Sequence, residues 1–515
     1  MLTNNNMNRR RFLAGTAALP LLASGKPSAG PYLAASREFL DTIIEKGTDR
    51  YGKRHAPVFC LSLDPETHTP PKAPEKVDWQ YRRDFEHLYR DFGYYWKSHL
   101  HSADLIYDQG TIRALYALRE VSGNPKYARA ADAYLDFFLD NLVSEQTGIF
   151  GWGEHVFYNV FTDYVIGGAF SVRSVHKFSY NHELERWTTI YDLLWPKSPD
   201  KTLAEIEAIY EYKIHDPDTF INNRHSDYYS GRVTSDTLTF IKHSGLFAHA
   251  FTFAYVKTGD AKHLERAHKA ANLFWGFRDP RTNLVRGCFQ RKDEPVAPAE
   301  LALLILFLLR AYQWHPDQLF IDRAVAYLHA YEKYFNAGGA RYREAVGPDG
   351  TDRKPGSFEG YWEGPLRMAK SAVLAYSLTG DASLLQMAEG IMEHVTPEMT
   401  FNTIIQRSLI SDEVEARACA LSTAIDLYEV TGNTKHLEQA RSLASDGIRK
   451  FLHKGLFVST MQLHPEGDKS EHTKIYDART AAGVFALNLI RLQTHSDATD
   501  AGTFKKLDRL DRIYD

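Results

Sequence analysis

Four segments of the chain repeat one pattern, in which a glycine beside a small polar residue is followed by a run rich in Leu, Tyr and Ala. They are SGNPKYARAADAYL from Ser122, TGDAKHLERAHKAANLF from Thr258, TGDASLLQMAEGIMEHV from Thr379 and TGNTKHLEQARSLASDGI from Thr431. An apolar helical run precedes each copy, and a glycine in that position is typical of a left-handed C-cap between two helices. Each copy therefore predicts an antiparallel helical hairpin, and repetition indicates stacked hairpins that share one core.

The spacing of these glycines predicts further hairpins between the clear copies. Gly380 and Gly432 are one period apart, whereas the intervals from Gly123 to Gly259 and from Gly259 to Gly380 are each about twice as long. Two degenerate units fill these intervals, with proline in place of the glycine signal. They are YDLLWPKSPDKTLAEIEAIY from Tyr191 and FLLRAYQWHPDQLFIDRAVAYL from Phe307.

The repeat predicts an all-α fold, an (α/α)7 toroid of helical hairpins, with a six-hairpin toroid and an open solenoid as the alternatives. Apolar runs such as LALLILFLLRAY favour an inner ring of first helices over a solvated face. The segment from Ser36 to Lys46 predicts an unpaired helix that can close the ring. The seven inner helices are predicted to start near Asp108, His182, His243, Pro298, Tyr361, Asp412 and Tyr476.

The N-terminus has the pattern of a twin-arginine export signal. NRRRFLAGTAALPLLASG combines arginines, a Phe-Leu pair and a short apolar run that ends in small residues. The run from Phe12 to Ala23 is too short for a stable membrane anchor, and a cytosolic basic tail is the alternative. We expect residues 1–30 to be an export signal, residues 31–515 to be a single toroid domain, and the mature protein to be periplasmic or secreted without a membrane contact.

Charge and composition disfavour several classes of function. A net charge of −4 without a basic stripe argues against nucleic acid as a partner. The absence of P-loop, dinucleotide-binding, GxSxG and HExxH motifs argues against nucleotide and serine-hydrolase chemistry. Cys60, Cys288 and Cys419 are too few and too scattered for a disulfide framework or a zinc site, so we expect inert thiols.

Loops at one rim of the inner helices would enclose a concave site, so polar residues that precede these helices are candidates. Asp108 is either an N-cap or a site residue, and Gln109 can donate to a substrate carboxylate. In GIFGWGEHVFYNVFTD, two glycines flank Trp152 and indicate a tight, exposed turn. Glu154 and His155 follow directly, and a charge beside an imidazole in an aromatic loop favours function.

Two further segments concentrate polar residues. His182 and Glu183 are predicted at a helix start, where the helix dipole favours a neutral imidazole, although it also suits a structural Glu. The segment FINNRHSDYYSG has almost no apolar content and fits neither a core helix nor an ordinary turn, which favours function. It contains Asn222, Asn223, Arg224, His225, Asp227, Tyr228 and Tyr229. Weaker candidates are Lys242, His243, Arg281, Arg286, Arg291, Trp362, Glu363, Tyr476, Asp477 and Arg479.

This residue set fits β-elimination across a uronic acid glycosidic bond. Arg, His and amide donors can stabilise the enolate that develops when the C5 proton leaves, and a base and an acid then transfer protons. A Tyr can serve if a nearby cation lowers its pKa. Hydrolysis would need two carboxylates, drawn from Glu154, Glu183, Asp227 and Glu363. No cofactor is expected; a metal-assisted variant using His155, His182 and Glu183 or His225 is less favoured.

The runs YDQGTIRALYALREVSGNPKYARAADAYL, TGIFGWGEHVFYNVFTD, HELERW and NRHSDYY resemble secreted bacterial polysaccharide lyases with an α/α toroid. The resemblance is to the seven-hairpin group that acts on glucuronan and alginate, often labelled pectate-lyase-like. It implies that Tyr229 or Tyr228 is the acid/base, that His182 or His225 is its partner, that Arg224 tunes the tyrosine, and that Glu154 or Gln109 meets the substrate carboxylate. We expect the substrate to be bound by Gln109, Trp152, His155, Tyr228, His243, Trp362 and Glu363.

The leading hypothesis is a polysaccharide lyase that acts on a β-1,4-linked uronate polymer, whether glucuronan, alginate or a pectate-like chain. The partner is then an acidic polysaccharide. A toroidal glycoside hydrolase acting on uronyl oligosaccharides and a non-catalytic sugar-binding toroid are the alternatives. All of these require that Glu154, His182 and Tyr229 meet at one end of the ring.

Overall fold

The computed structural model describes residues 30–71, 99–153, 156–167, 181–183, 190–232, 238–292, 294–339, 341–355, 363–398, 413–462 and 472–496. Within them the chain forms the predicted all-α ring. The inner helices are α2 (Leu105–Ser122), α4 (Tyr191–Leu194), α6 (Ile241–Thr258), α8 (Pro298–Trp314), α10 (Glu363–Thr379), α12 (Glu413–Thr431) and α14 (Ala482–Ser496). The outer helices are α1 (Pro31–Thr42), α3 (Pro125–Asn141), α5 (Pro199–Ala208), α7 (Ala261–Phe277), α9 (Gln318–Phe335), α11 (Ala382–Met392) and α13 (Thr434–Phe451).

The ring closes through its first and last helices. The inner helices α6, α8, α10, α12 and α14 pack in sequence, and α14 also packs against α2 and α1. The short helix α4 fills the remaining position, since Asp192 is 2.7 Å from Arg113 of α2 and the Tyr191 ring is 5.8 Å from Phe253 of α6. Seven hairpins and the closing role of α1 are confirmed, which excludes the six-hairpin and open alternatives.

The repeated pattern works as predicted at each hairpin. Its four glycines have φ between +69° and +76°, the left-handed conformation that ends a helix without strain. The next residue starts the second helix, because its side chain accepts a hydrogen bond from the backbone N–H two residues later. These N-caps are Asn124, Asp260, Asp381 and Asn433, with bonds of 3.0–3.1 Å.

Buried ion pairs connect neighbouring inner helices within an otherwise apolar core. Arg367 of α10 is 2.9 Å from Glu415 of α12. The Asp426 carboxylate of α12 forms ion pairs with Lys370 of α10, at 2.7 Å, and with Arg491 of α14, at 2.9 Å. A buried charge is tolerated only when it is paired, so these contacts favour one order of helices around the ring.

Short β-sheets lie at the ends of the helices. Strands β2 (Ser102–Ala103), β3 (Val156–Asn159) and β4 (Tyr164–Gly167) form one sheet, and β5 (Asn181–Glu183) and β6 (His225–Asp227) form another. A third sheet has the order β1 (Ser62–Leu63), β13 (His472–Asp477) and β12 (Ser459–Gln462). A fourth has the order β7 (Asn336–Gly338), β8 (Arg341–Val346) and β9 (Asp352–Pro355). The fifth pairs β10 (Leu452–His453) with β11 (Leu456–Phe457).

Two predicted helix starts were wrong, and the N-cap interpretation of Asp108 is excluded. His182 lies in β5, and the helix that follows is described only from Tyr191, so the expected effect of a helix N-terminus on His182 does not apply. Tyr476 lies in β13, and α14 begins at Ala482 instead. Asp108 is not the N-cap of α2, because Asp104 takes that role by accepting the Ile106 N–H at 3.0 Å.

The cysteines are unpaired thiols, as expected, and Cys60 and Cys288 are buried while Cys419 is half-buried. Burial raises the pKa of Cys60 and Cys288, so both stay protonated and unreactive. In the part of the chain that the structure describes, no helix has the length and apolar character needed to span a bilayer.

Candidate functional site

Three of the four polar segments meet at the rim where α2 begins. Strand β2 leads directly into α2 and pairs with β3, which also contacts β5. Strand β5 in turn pairs with β6, which carries the Arg-His-Tyr segment. Glu154 and His155 lie outside the described residues, but their flanking residues, Gly153 and Val156, belong to this rim.

The register between β5 and β6 brings two distant candidate segments together. Asn181 is paired with Asp227, His182 with Ser226, and Glu183 with His225. Directly opposed residues of an antiparallel pair are neighbours on one face of the sheet. The two candidate histidines, His182 and His225, are therefore one register step apart and belong to opposite faces of the pair, although they come from segments 43 positions apart in the sequence.

The residues around His225 are held by several short contacts. The His225 side chain is buried, and the backbone N–H of His225 donates a hydrogen bond to the Asn223 Oδ1 at 3.0 Å. The Arg224 guanidinium lies 5.4 Å from the centre of the Phe240 ring, a cation–π contact. The Arg224 carbonyl accepts a hydrogen bond from the Lys213 ammonium at 2.6 Å. The backbone at Arg224 and His225 is thus fixed from two sides.

The two tyrosines form the turn that follows β6. Asp227 accepts the N–H groups of Tyr229 at 3.0 Å and of Ser230 at 2.7 Å, and the two tyrosine rings are perpendicular at 4.8 Å. Tyr228 is buried, whereas Tyr229 is 38% exposed. Burial raises the pKa of both phenols, and Asp227 raises that of Tyr229 further. Both therefore keep their protons at neutral pH, which suits proton donation rather than abstraction.

A cavity of about 1080 Å³ lies beside this turn, against the outer helices α3 and α5. Tyr228 and Tyr229 border it together with Tyr164, Tyr212, Lys201 and Arg266. Six carboxylates and three cationic side chains line its described walls. This balance does not favour a polyanion inside the cavity, so the rim strands are the better candidate site for an acidic polymer.

Other predicted site residues have structural surroundings. Both ends of the Gln109 amide are used, since Nε2 donates to the Ile106 carbonyl at 2.8 Å and Oε1 accepts the Ile190 N–H at 3.0 Å. Trp152 is fully buried, which corrects the expectation of an exposed turn. His243 is buried in the first turn of α6, with its ring 6.0 Å from Phe247.

One of the two remaining substrate-binding candidates lies at the start of α10. Glu363 is the first residue of this helix, and Trp362 lies outside the described residues.

Two buried carboxylates hold the loop that leads to Glu154 and were not recognised in the sequence. Asp104 accepts the Gly153 N–H at 3.3 Å. Glu205 of α5 accepts the Phe150 N–H at 2.7 Å and the Trp152 indole N–H at 3.2 Å. Burial raises the pKa of both groups, that of Glu205 to about 8. Nothing in the local sequence marks Glu205, because it looks like an ordinary acidic position of an amphipathic helix.

A family comparison identifies the relationship of the chain. The family of periplasmic pectate lyases matches residues 94–302 and 301–471, most of the ring and all of the rim strands β3, β5 and β6. The chain belongs to this family. A pectate disaccharide-lyase of Dickeya dadantii (strain 3937) is 28% identical to this pectate lyase family member over 120 residues, 23% of this chain and 21% of that protein. The match thus spans about a fifth of the relative's length.

Solved structures with a similar course of the chain include sugar-processing enzymes. An unsaturated glucuronyl hydrolase specific for heparin has a TM-score of 0.45 at 13% identity, covering 91% of this chain and 98% of that one. A family 76 glycoside hydrolase from a bovine Bacteroides thetaiotaomicron strain has a TM-score of 0.47 at 12% identity, covering 90% and 78%. The cellobiose 2-epimerase of Bacillus thermoamylovorans B4167 has a TM-score of 0.46 at 13% identity, covering 89% and 98%.

Proposed function

We propose that this pectate lyase family member is a polysaccharide lyase that cleaves a 1,4-linked uronic acid polymer by β-elimination. Family membership supports lyase chemistry and an acidic polysaccharide as the substrate. The observation that carries the proposal is the β5–β6 register, which sets His182 and Glu183 against Ser226 and His225 at the same rim as β3. Polygalacturonate is the first substrate to test, followed by glucuronan and alginate.

The chemistry assigns each group one task. Arg224 faces the uronate carboxylate and stabilises the enolate that forms when the C5 proton leaves. His225 takes this proton, and His182 of the paired strand is the alternative base. The electron pair forms the C4=C5 double bond, the C4–O bond breaks, and Tyr229 protonates the departing glycosidic oxygen. The raised pKa of Tyr229 supports the last role, because the phenol carries its proton before the reaction.

A metal-assisted version of the same elimination is the second candidate. The observation that favours it is the direct pairing of Glu183 with His225, one carboxylate and one imidazole on opposed strands. These are ligand types for a divalent transition metal, which would polarise the substrate carboxylate. His155 would complete the set proposed from the sequence.

The proposal includes the location of the enzyme. We propose that residues 1–30 direct export, that residues 31–515 form one toroid domain, and that the mature protein works in the periplasm or outside the cell. The family description supports a periplasmic location.

One assay tests the proposal against its alternatives. The purified protein is incubated with polygalacturonate, glucuronan and alginate, and the ultraviolet absorbance of the conjugated C4=C5 double bond is followed. Rising absorbance is the expected result for a lyase. New reducing ends without this absorbance would identify a glycoside hydrolase and refute the proposal. Binding without either change would identify a sugar-binding protein.

A further inference from the structure

Lys213 is a buried lysine beneath the candidate site. It ends the π-helical turn Ile209–Lys213 that continues α5, and only 1% of the residue is exposed. Its ammonium donates to the Arg224 carbonyl at 2.6 Å, and its own carbonyl accepts the Asn223 N–H at 2.8 Å. A buried ammonium is costly unless its interactions compensate for lost hydration. One of the interactions that compensate here is directed at the backbone of a predicted site residue.

Glu205 is the second buried ionisable group of the same helical segment, eight positions earlier. It holds the Phe150 N–H and the Trp152 indole, and thus the loop that leads to Glu154 and His155. The positive charge of Lys213 lowers the pKa of Glu205, although burial raises it more strongly. One helical segment therefore holds two loops that carry predicted site residues, one through the carboxyl group of Glu205 and the other through the ammonium group of Lys213.

We infer that Lys213 and Glu205 are positioning residues that fix the Arg224–His225 loop relative to the Phe150–Gly153 loop. The inference rests on the proposed function for its catalytic consequence. Lys213 orients the peptide group that joins Arg224 to His225, and the His225 N–H is fixed in turn by Asn223. Strand β6 follows immediately, so a change at Lys213 shifts His225 against Glu183 of β5. Neither residue needs to touch the substrate.

The test compares two buried lysines, each replaced by an apolar residue of similar length. Lys213→Met removes the contact with Arg224, whereas Lys370→Met removes the ammonium paired with Asp426 between α10 and α12. Turnover and KM are measured on the polyuronate that the wild type cleaves, and the free energy of unfolding is measured with urea. We expect Lys213→Met to lower kcat roughly 10- to 100-fold with little change in KM, the effect of misplaced reacting groups.

Two matched results complete this comparison. Lys213→Arg keeps a cationic donor and should recover a large part of the lost kcat, which a lost packing contact would not do. Lys370→Met should be destabilised at least as much as Lys213→Met, yet retain the kcat of the wild type in its folded fraction. Wild-type kcat in Lys213→Met, or losses in both variants that follow stability alone, would overturn the inference.

Amide hydrogen exchange makes the test independent of activity. Lys213→Met should speed exchange in residues 222–227 at temperatures where the rest of the ring is protected, and Lys370→Met should not. A wild type that eliminates no polyuronate would refute the proposed function, yet the exchange comparison would still decide whether Lys213 holds the loop. Unchanged exchange in residues 222–227 would refute the positioning role. If Lys213→Met does not fold, Lys213→Gln, which keeps a donor, is measured instead.

Discussion

The buried carboxyl of Asp108 should make the stability of this protein fall as the pH rises. The side chain is fully buried in the first turns of α2, and its Oδ2 accepts the Tyr134 hydroxyl at 2.8 Å. Its Oδ1 is buried without a hydrogen bond to any described residue. Burial raises the pKa of Asp108 from 3.8 to about 8, and the nearby Asp477 carboxylate contributes in the same direction. The group is therefore neutral in the folded protein at pH 7.

The sign and size of this pH dependence follow from proton linkage. Because the pKa is raised by folding, the folded state binds more protons than the unfolded state between the two pKa values. The free energy of unfolding therefore falls with rising pH, by about 1.4 kcal/mol per pH unit and about 3 kcal/mol between pH 5 and pH 7. The stabilising effect of Asp108 is complete below its pKa in the unfolded state, and it is lost as the pH rises through its pKa in the folded state.

Asp108→Asn isolates this contribution. The amide is neutral at every pH, and its carbonyl oxygen can still accept the Tyr134 hydroxyl. The free energy of unfolding, measured by urea denaturation across pH 5 to 7, should change less steeply in the variant, so that its advantage over the wild type grows by about 3 kcal/mol across this range. Asp218→Asn removes an exposed carboxylate and serves as the control, with a slope equal to that of the wild type.

A specific result would refute this reasoning. If Asp108→Asn and the wild type have parallel stability curves between pH 5 and 7, Asp108 is ionised in the folded protein. The carboxyl would then have a compensating contact, and the raised pKa would be wrong. Asp104 and Glu205 are also buried acids with raised pKa values, but they are present in both proteins and cancel in the comparison.

Three other changes test the site and the fold. Tyr229→Phe should lower kcat by about 100-fold or more while polymer binding and unfolding temperature stay unchanged, since only a proton donor is lost; full activity would transfer the role to Tyr228. Dialysis against EDTA should leave turnover intact if side chains alone catalyse the elimination, whereas loss and recovery with a divalent cation would favour the metal-assisted version. Gly432→Ala should lower the free energy of unfolding by about 1 kcal/mol, because φ is +69° and the added methyl group meets no atom within 4 Å; an unchanged urea midpoint would contradict the C-cap interpretation.

The hairpins could be predicted because their signals are local. In TGN at Thr431, the glycine ends one helix and Asn433 caps the next, so three residues determine the turn. The ring closure by α1 followed from one leftover inner helix and one leftover outer helix. Neither inference needed long-range information.

The errors come from contacts between distant segments. His182 was assigned to a helix because the residues after it have helical spacing, whereas its strand is formed by pairing with β6. Trp152 was assigned to an exposed turn from its flanking glycines, but its indole is bonded to Glu205, 53 positions away. Lys213 has no sequence signal for the same reason. Its role depends on the fold that brings Arg224 above it.

The pairing of α1 with α14 has a consequence for biosynthesis. Among the described helices, α1 is synthesised first and α14 last. The apolar side of α1 therefore stays uncovered until α14 has been made, since Phe39 and Leu40 are completely buried in the finished molecule. Every shorter nascent chain consequently exposes two apolar edges, one at each end of the incomplete ring of helices. Chaperone dependence during synthesis should therefore persist until α14 emerges, when a single docking step joins both edges.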